Sequence, residues 1–133
     1  MDQSPRLSLS YLAPSQAQKH VTVNETFRRL DAMVQAVVRS RTQTQEPAGP
    51  AEGDAYILPA GASGAVWSGY DAGDIAVYQD GAWARIAPFE GARVWVCDED
   101  VLVIHDGEGW GALTGGATVV SGFVWNAYGA APA

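Results

Sequence analysis

The 133-residue sequence holds one cysteine, Cys97, so no disulfide can form within the chain. Only two histidines, His20 and His105, stand beside it, too few donors for a closed four-ligand zinc site. No glycine-rich motif for a mononucleotide or dinucleotide occurs, and no metal or cofactor is expected. A run of about 18 apolar residues is missing too, as is an opening of basic region, apolar core and cleavage site. Neither membrane insertion nor export by a signal peptide is therefore expected, and synthesis in the cytoplasm follows. Basic residues are scarce after residue 45. Arg85 and Arg93 face twelve carboxylates there, a net −10, whereas residues 1–45 set six basic groups against three acidic ones, a net +3. A field of that sign repels phosphate and excludes nucleic acid as a partner of the second part.

What the chain does have is glycine, 15 residues, and tryptophan, 5 residues, a composition of short turns and aromatic-rich strands. One phrase appears twice: an apolar run, Asp-Gly, then a tryptophan and a second short run. The first copy spans Ile75 to Ile86 through Asp80-Gly81 and Trp83; the second spans Val101 to Leu113 through Asp106-Gly107 and Trp110. Asp-Gly between apolar runs signals a hairpin, because glycine accepts the positive φ that the turn requires. Each copy follows an entry strand after Glu-Gly, at Glu52-Gly53 and Glu90-Gly91. A repeated aromatic hairpin without a catalytic signature points to a binding or building module rather than an enzyme.

Upstream, residues 7–12 alternate as a strand would, either alone or added to a neighbour, and Pro14 suits the first turn of a short helix. Thr22 and Glu25 form a capping-box pattern, and the sequence then reads as helix to about Arg41. Val23, Phe27, Leu30, Val34 and Val37 fall at spacings of 4, 3, 4 and 3 and draw one apolar stripe. Two heptads are too short to stand alone in water, so the stripe packs on the chain's own sheet or on copies of itself. The expected fold class is α+β: an N-terminal arm and helical segment (1–41), a linker (42–53), and a small antiparallel β domain of repeated Asp-Gly-Trp hairpins (54–133). A last strand is expected from Ala117 to Val124.

Cys97 sits in an apolar run, where a buried, inert thiol is expected. Asp98-Glu99-Asp100 reads as a solvated turn, since the spacing of a calcium loop is absent. Among the aromatics, Trp83 and Trp95 are expected to cover sheet faces. Trp67 and Tyr70 lie in a glycine-punctuated loop beside Asp71 and Asp74, flat apolar surface next to hydrogen-bonding carboxylates. That combination suits a sugar ring, and the acidic field favours a neutral or weakly charged glycan over an acidic one. The rival chemistry is glycan cleavage by carboxylates of the Asp71/Asp74 or Asp98–Asp100 loops.

The block Tyr11-Leu12-Ala13-Pro14-Ser15-Gln16-Ala17-Gln18-Lys19-His20-Val21-Thr22-Val23-Asn24-Glu25, with Leu30-Asp31 after it, resembles the opening of a family of uncharacterised proteins. These occur in prophages and gene transfer agents of alphaproteobacteria, and their pattern runs Y-x-A-P-x-Q-A-Q-K-x-V-x-x-N-E, then L-D. The likeness continues through Ala51–Ile57, Asp80–Trp83 and Glu90-Gly91, covering about residues 7–113. Members resemble spike or tail-fibre components of phage-like particles. The resemblance implies a virion structural protein at the particle surface, homo-oligomeric with a trimer expected ahead of a pentamer. It also implies a capsid or tail protein and a separate fibre as partners, and attachment to host capsular polysaccharide. Only 20 residues, Thr114 to Ala133, follow the resembling part, which raises the alternative of a base or adaptor that delegates receptor contact.

Overall fold

A computed structural model describes residues 2–13 and 19–113 of the chain. The order is helix α1 (Lys19–Met33), β1 (Val37–Val38), β2 (Ala55–Ile57), a 3-10 turn (Trp67–Gly69), β3 (Ile75–Gln79), β4 (Ala82–Ile86), β5 (Arg93–Val96), β6 (Val101–His105) and β7 (Trp110–Ala112). One sheet runs β1-β5-β6-β7 and the other β2-β3-β4. All pairs are antiparallel except β1 on β5, which is parallel with Val37 opposite Trp95. A parallel bridge between Ser40 and Tyr56 carries the chain from β1 onto β2 and joins the two sheets. The class is α+β, one helix on a small, mostly antiparallel β body.

Alternation on the strands builds the core. On β5 Val94 and Val96 point inward and are fully buried, while Arg93 and Trp95 point out. They meet Val38, Ile57, Ile75, Val77, Ile86 and Val103, together with Ala32 and Ala36 from the end of the helical segment. The helix end and β1 thus share one core with the strands, although the sequence set residues 1–41 apart. A second cluster, Tyr56, Leu58, Trp67 and Ala76, lies on the opposite side of β2 and β3, under the loop 59–73.

Three expectations for the N-terminal half change. The helix begins at Lys19, so Thr22 and Glu25 lie inside it rather than at a cap, and it stops at Met33 instead of about Arg41. Gln35 takes φ 49°, a left-handed turn that ends the helix and sends the chain into β1. Residues 2–11 fold back on themselves instead of pairing outward: Ser4 N–H donates to Leu9 O at 2.9 Å, and Gln3 bridges Ser10. The supposed linker is also pinned. Ser63 N–H donates to Thr44 O at 2.8 Å, and Glu46 Oε1 accepts the N–H groups of Val66 and Trp67. The readings of Pro14 to Gln18, of the Ala117–Val124 strand and of Trp125 lie outside the described residues.

The two Asp-Gly turns lie in different sheets and are built differently. Gln79 pairs with Ala82, so β3 and β4 join through two residues, Asp80 and Gly81, both at positive φ (56° and 76°). The Glu52 carboxylate accepts both of their N–H groups, at 2.7 and 2.8 Å. His105 pairs with Trp110, so β6 and β7 join through four residues, and there Asp106 Oδ1 accepts the N–H groups of Glu108 and Gly109. No atom blocks a Cβ at Gly81, so its cost is the backbone's alone. Gly81→Val is expected to destabilise by roughly 1–3 kcal/mol, with Gly81→Asn recovering most of it; an unchanged melting temperature for the valine variant would contradict the turn.

Candidate functional site

The loop 59–73, expected from its sequence to contact a ligand, turns its tryptophan inward. Trp67 is 0% exposed. Its ring lies 5.1 Å from Tyr56 and 5.3 Å from Trp83, both inclined edge to face. The outer face of β2 and β3 would otherwise be bare, and the loop closes over it with its largest apolar side chain. Trp67 therefore offers no face to a sugar, which corrects the expectation for that residue. Tyr70 is half-buried, with its hydroxyl 3.4 Å from Trp83 O, and burial raises its phenol above the ordinary value. Asp74 is buried and accepts Asp71 N–H at 2.8 Å and Arg85 Nε–H. Arg85 also reaches Asp71 at 3.2 Å, and the Asp74 hydrogen bond raises the guanidinium above its ordinary value. Both carboxylates are thus tied to one arginine as a loop clasp.

The helix stripe behaves in the opposite way. Val23 and Phe27 are half-covered, and Leu30 (46%) and Val34 (42%) are exposed. Val34 lies past the helix end but still donates its N–H to Leu30 O at 2.9 Å, which keeps the two side chains on one face. Val37 leaves the stripe: it is half-buried on β1. The polar side of the helix instead meets the N-terminal arm and, through Arg28, the turn between β3 and β4. Asn24 exchanges two hydrogen bonds with the Leu12 backbone, at 2.8 and 3.1 Å. Arg28 pairs with Asp80 at 3.1 Å and lies 4.8 Å over the Tyr11 ring, and its carbonyl accepts from Gln79. Asp31, fully buried, accepts Ser4 Oγ–H at 2.6 Å and the N–H groups of Arg6 and Leu7.

A third surface was not singled out from the sequence. Trp95 is 40% exposed and Phe89 55%. With Met33, Val37 and Leu102 they line an open groove of about 760 Å³ between the end of α1 and the outer face of β1, β5 and β6. Val37, Trp95 and Leu102 stand in register across three strands and form one apolar row. Its polar rim is Arg6, Gln35 and Arg93; no carboxylate lines it among the described residues. The Arg6 guanidinium is already engaged with the carbonyls of Asp31, Val34 and Gln35.

The sequence model of a family described as a protein of unknown function (DUF2793) matches residues 23–111. The chain belongs to this family. A search of the curated proteins found no match. The DUF2793 match runs from Val23 in α1 to Gly111 in β7, so the loop clasp, the Leu30 face and every groove residue except Arg6 lie within the matched segment. Among the described residues of this DUF2793 chain, no three of His, Cys, Asp and Glu cluster where they could hold a metal ion, and no helix is long and apolar enough to cross a membrane.

Two expectations for β5 and the residue after it are reversed in this DUF2793 domain. Trp95 was placed among scaffold residues and stands in the open, because Val94 and Val96 on either side take the core positions. Cys97, expected buried, is exposed for the same reason of alternation. The signal was present in the strict period-2 pattern Arg93-Val94-Trp95-Val96-Cys97, which assigns one face to the valines and the other to Trp95. His105 closes β6, buried with Nδ1 accepting Gly107 N–H at 3.1 Å and its ring 5.0 Å from Trp110. Glu99, in the turn after β5, pairs with Arg41 at 2.9 Å, which lowers its carboxyl below the ordinary value.

Proposed function

We propose that the chain is a non-enzymatic structural subunit of a phage-like particle, such as a gene transfer agent. In this reading it assembles with copies of itself at the particle surface and takes part in attachment to host polysaccharide. The resemblance of the Tyr11–Glu25 block to spike and fibre proteins supplies the setting. The observation that carries the subunit role is the apolar helix face of Leu30 and Val34, left exposed while the polar side of the same helix is covered by the N-terminal arm. A lone globular domain gains nothing by exposing that face; a bundle of helices around a symmetry axis buries it. Val23 and Phe27 extend the same stripe, and three copies are favoured over five because short fibres commonly use threefold bundles. A capsid or tail protein takes one end of this assembly and a separate fibre the other.

Light scattering at micromolar concentration tests the assembly, with a mass of three protomers expected. Changing Leu30 and Val34 together to Asp is expected to give monomers that remain folded, since each buried unpaired charge costs several kcal/mol in the bundle and little in the free chain. A monomeric wild type overturns the self-assembly. Incubation with capsular polysaccharide tests attachment: retention without shortening supports it, and shortened chains assign the carboxylate loops to cleavage. Absence of both leaves the chain a base that carries a separate receptor-binding fibre.

A further inference from the structure

We propose that the groove beside Trp95 is a subsite for an acidic sugar, a uronate whose ring lies on the Trp95 indole and whose carboxylate is held by Arg93. The proposal deepens the attachment reading above and rests on it. Trp95 is a firm platform: its two neighbours in β5 are fully buried, and its backbone N–H donates to Ala36 O at 2.9 Å. The row Val37–Trp95–Leu102 extends the indole into a flat apolar strip that matches the C–H face of a pyranose ring. Arg93 lies two residues back on the same strand and the same face, about 7 Å along it, roughly one sugar ring away.

The charge at this place runs against the rest of the chain. Seven more carboxylates than basic groups are present overall, but none lines the groove among the described residues. Arg28, Arg39, Arg41 and Arg85 each pair with a carboxylate, and Arg6 is held by backbone carbonyls. The Arg93 guanidinium has no such pairing among the described residues, and it presents the planar fork that binds a carboxylate with two parallel hydrogen bonds. The neutral or weakly charged glycan expected from net charge is thus replaced by an acidic one through the local field. An acidic peptide is the weaker fit. β5 lies between β1 and β6, and β1 already pairs with it at Trp95 and Val96, so an extended chain finds no open ladder beside the indole.

The test is a titration of the ¹⁵N-labelled full chain with tetragalacturonate and with its methyl ester, which keeps the rings and removes the charge. The acid is expected to shift the Trp95 indole N–H resonance and to bind at least about tenfold more tightly than the ester. Arg93→Gln is expected to reduce the acid to the ester's affinity. Trp95→Ala is expected to abolish the heat of binding of both, with its amide spectrum otherwise that of the folded chain. Equal binding of acid and ester overturns the proposal, and so does acid binding that survives Trp95→Ala. Trp95→Ala dispersing the oligomer makes the groove an interface between copies and also overturns it. Light scattering on the same samples separates the two readings. An intact oligomer with an unmoved indole resonance overturns the subsite and leaves the subunit role standing; a shifted resonance in a monomer supports the subsite and overturns self-assembly.

Discussion

Replacing Trp67 by alanine is expected to destabilise the fold by about 3–5 kcal/mol, the range for emptying a buried aromatic site. The ring is wholly covered and forms the centre of the second apolar cluster, between Tyr56 and Trp83. A fall of more than about 10 °C in melting temperature follows for a domain of this size. Trp67→Phe is the control. The indole N–H is buried without a partner, so phenylalanine gives up no hydrogen bond and costs only the volume difference, about 1–2 kcal/mol. By contrast, Trp95→Ala is expected to move the melting temperature by a few degrees at most, as for a surface change. Thermal unfolding of the three variants decides which tryptophan is scaffold. A Trp67→Ala variant as stable as wild type would restore that loop as a ligand candidate.

Asp31→Ala is the second large effect, about 2–4 kcal/mol. The carboxylate is fully buried and gathers the Ser4 hydroxyl and the backbone N–H groups of Arg6 and Leu7, so its loss strands three donors together. The arm is then expected to leave the helix, carrying with it the Arg6 guanidinium that satisfies the carbonyls at the helix end. Brief trypsin treatment reads this directly: cleavage after Arg6 is expected in Asp31→Ala and not in wild type. Ser4→Ala removes one donor from the cluster and is expected to cost about 1 kcal/mol with the arm still in place. Protection of Arg6 in Asp31→Ala would mean that the Ser4–Leu9 and Gln3–Ser10 contacts hold the arm without the carboxylate. Because Arg6 also lines the groove, arm release is expected to alter the Trp95 surface as well.

What could be read along the chain was local. The Asp80-Gly81 hairpin follows from two adjacent residues that tolerate positive φ, and the helix from a 3.6-residue period over Val23, Phe27 and Leu30. The α+β class needed nothing more. The end of the helix was not legible, because the apolar spacing continues smoothly through Val34 and Val37 while Gln35 turns left-handed. What overrides the period there is β1 pairing with β5, 58 residues away from Val37 to Trp95, a contact to which no local pattern refers.

The candidate site divides along the same line. By itself the sequence determined that tryptophans are many, that carboxylates dominate after residue 45, and that the helix has one apolar stripe. Only the tertiary structure decided which of these face solvent. Burial is a property of pairs of surfaces: Trp67 is covered because its loop folds back over β2 and β3, and Trp95 is bare because nothing described crosses the outer face of β5. The helix likewise turned its polar side to the N-terminal arm, where Asp31 and Asn24 find donors and acceptors that the stripe could not reveal. Periodicity states that an element has two faces; which one is covered depends on residues far away in sequence, whose positions are known only once the chain has folded.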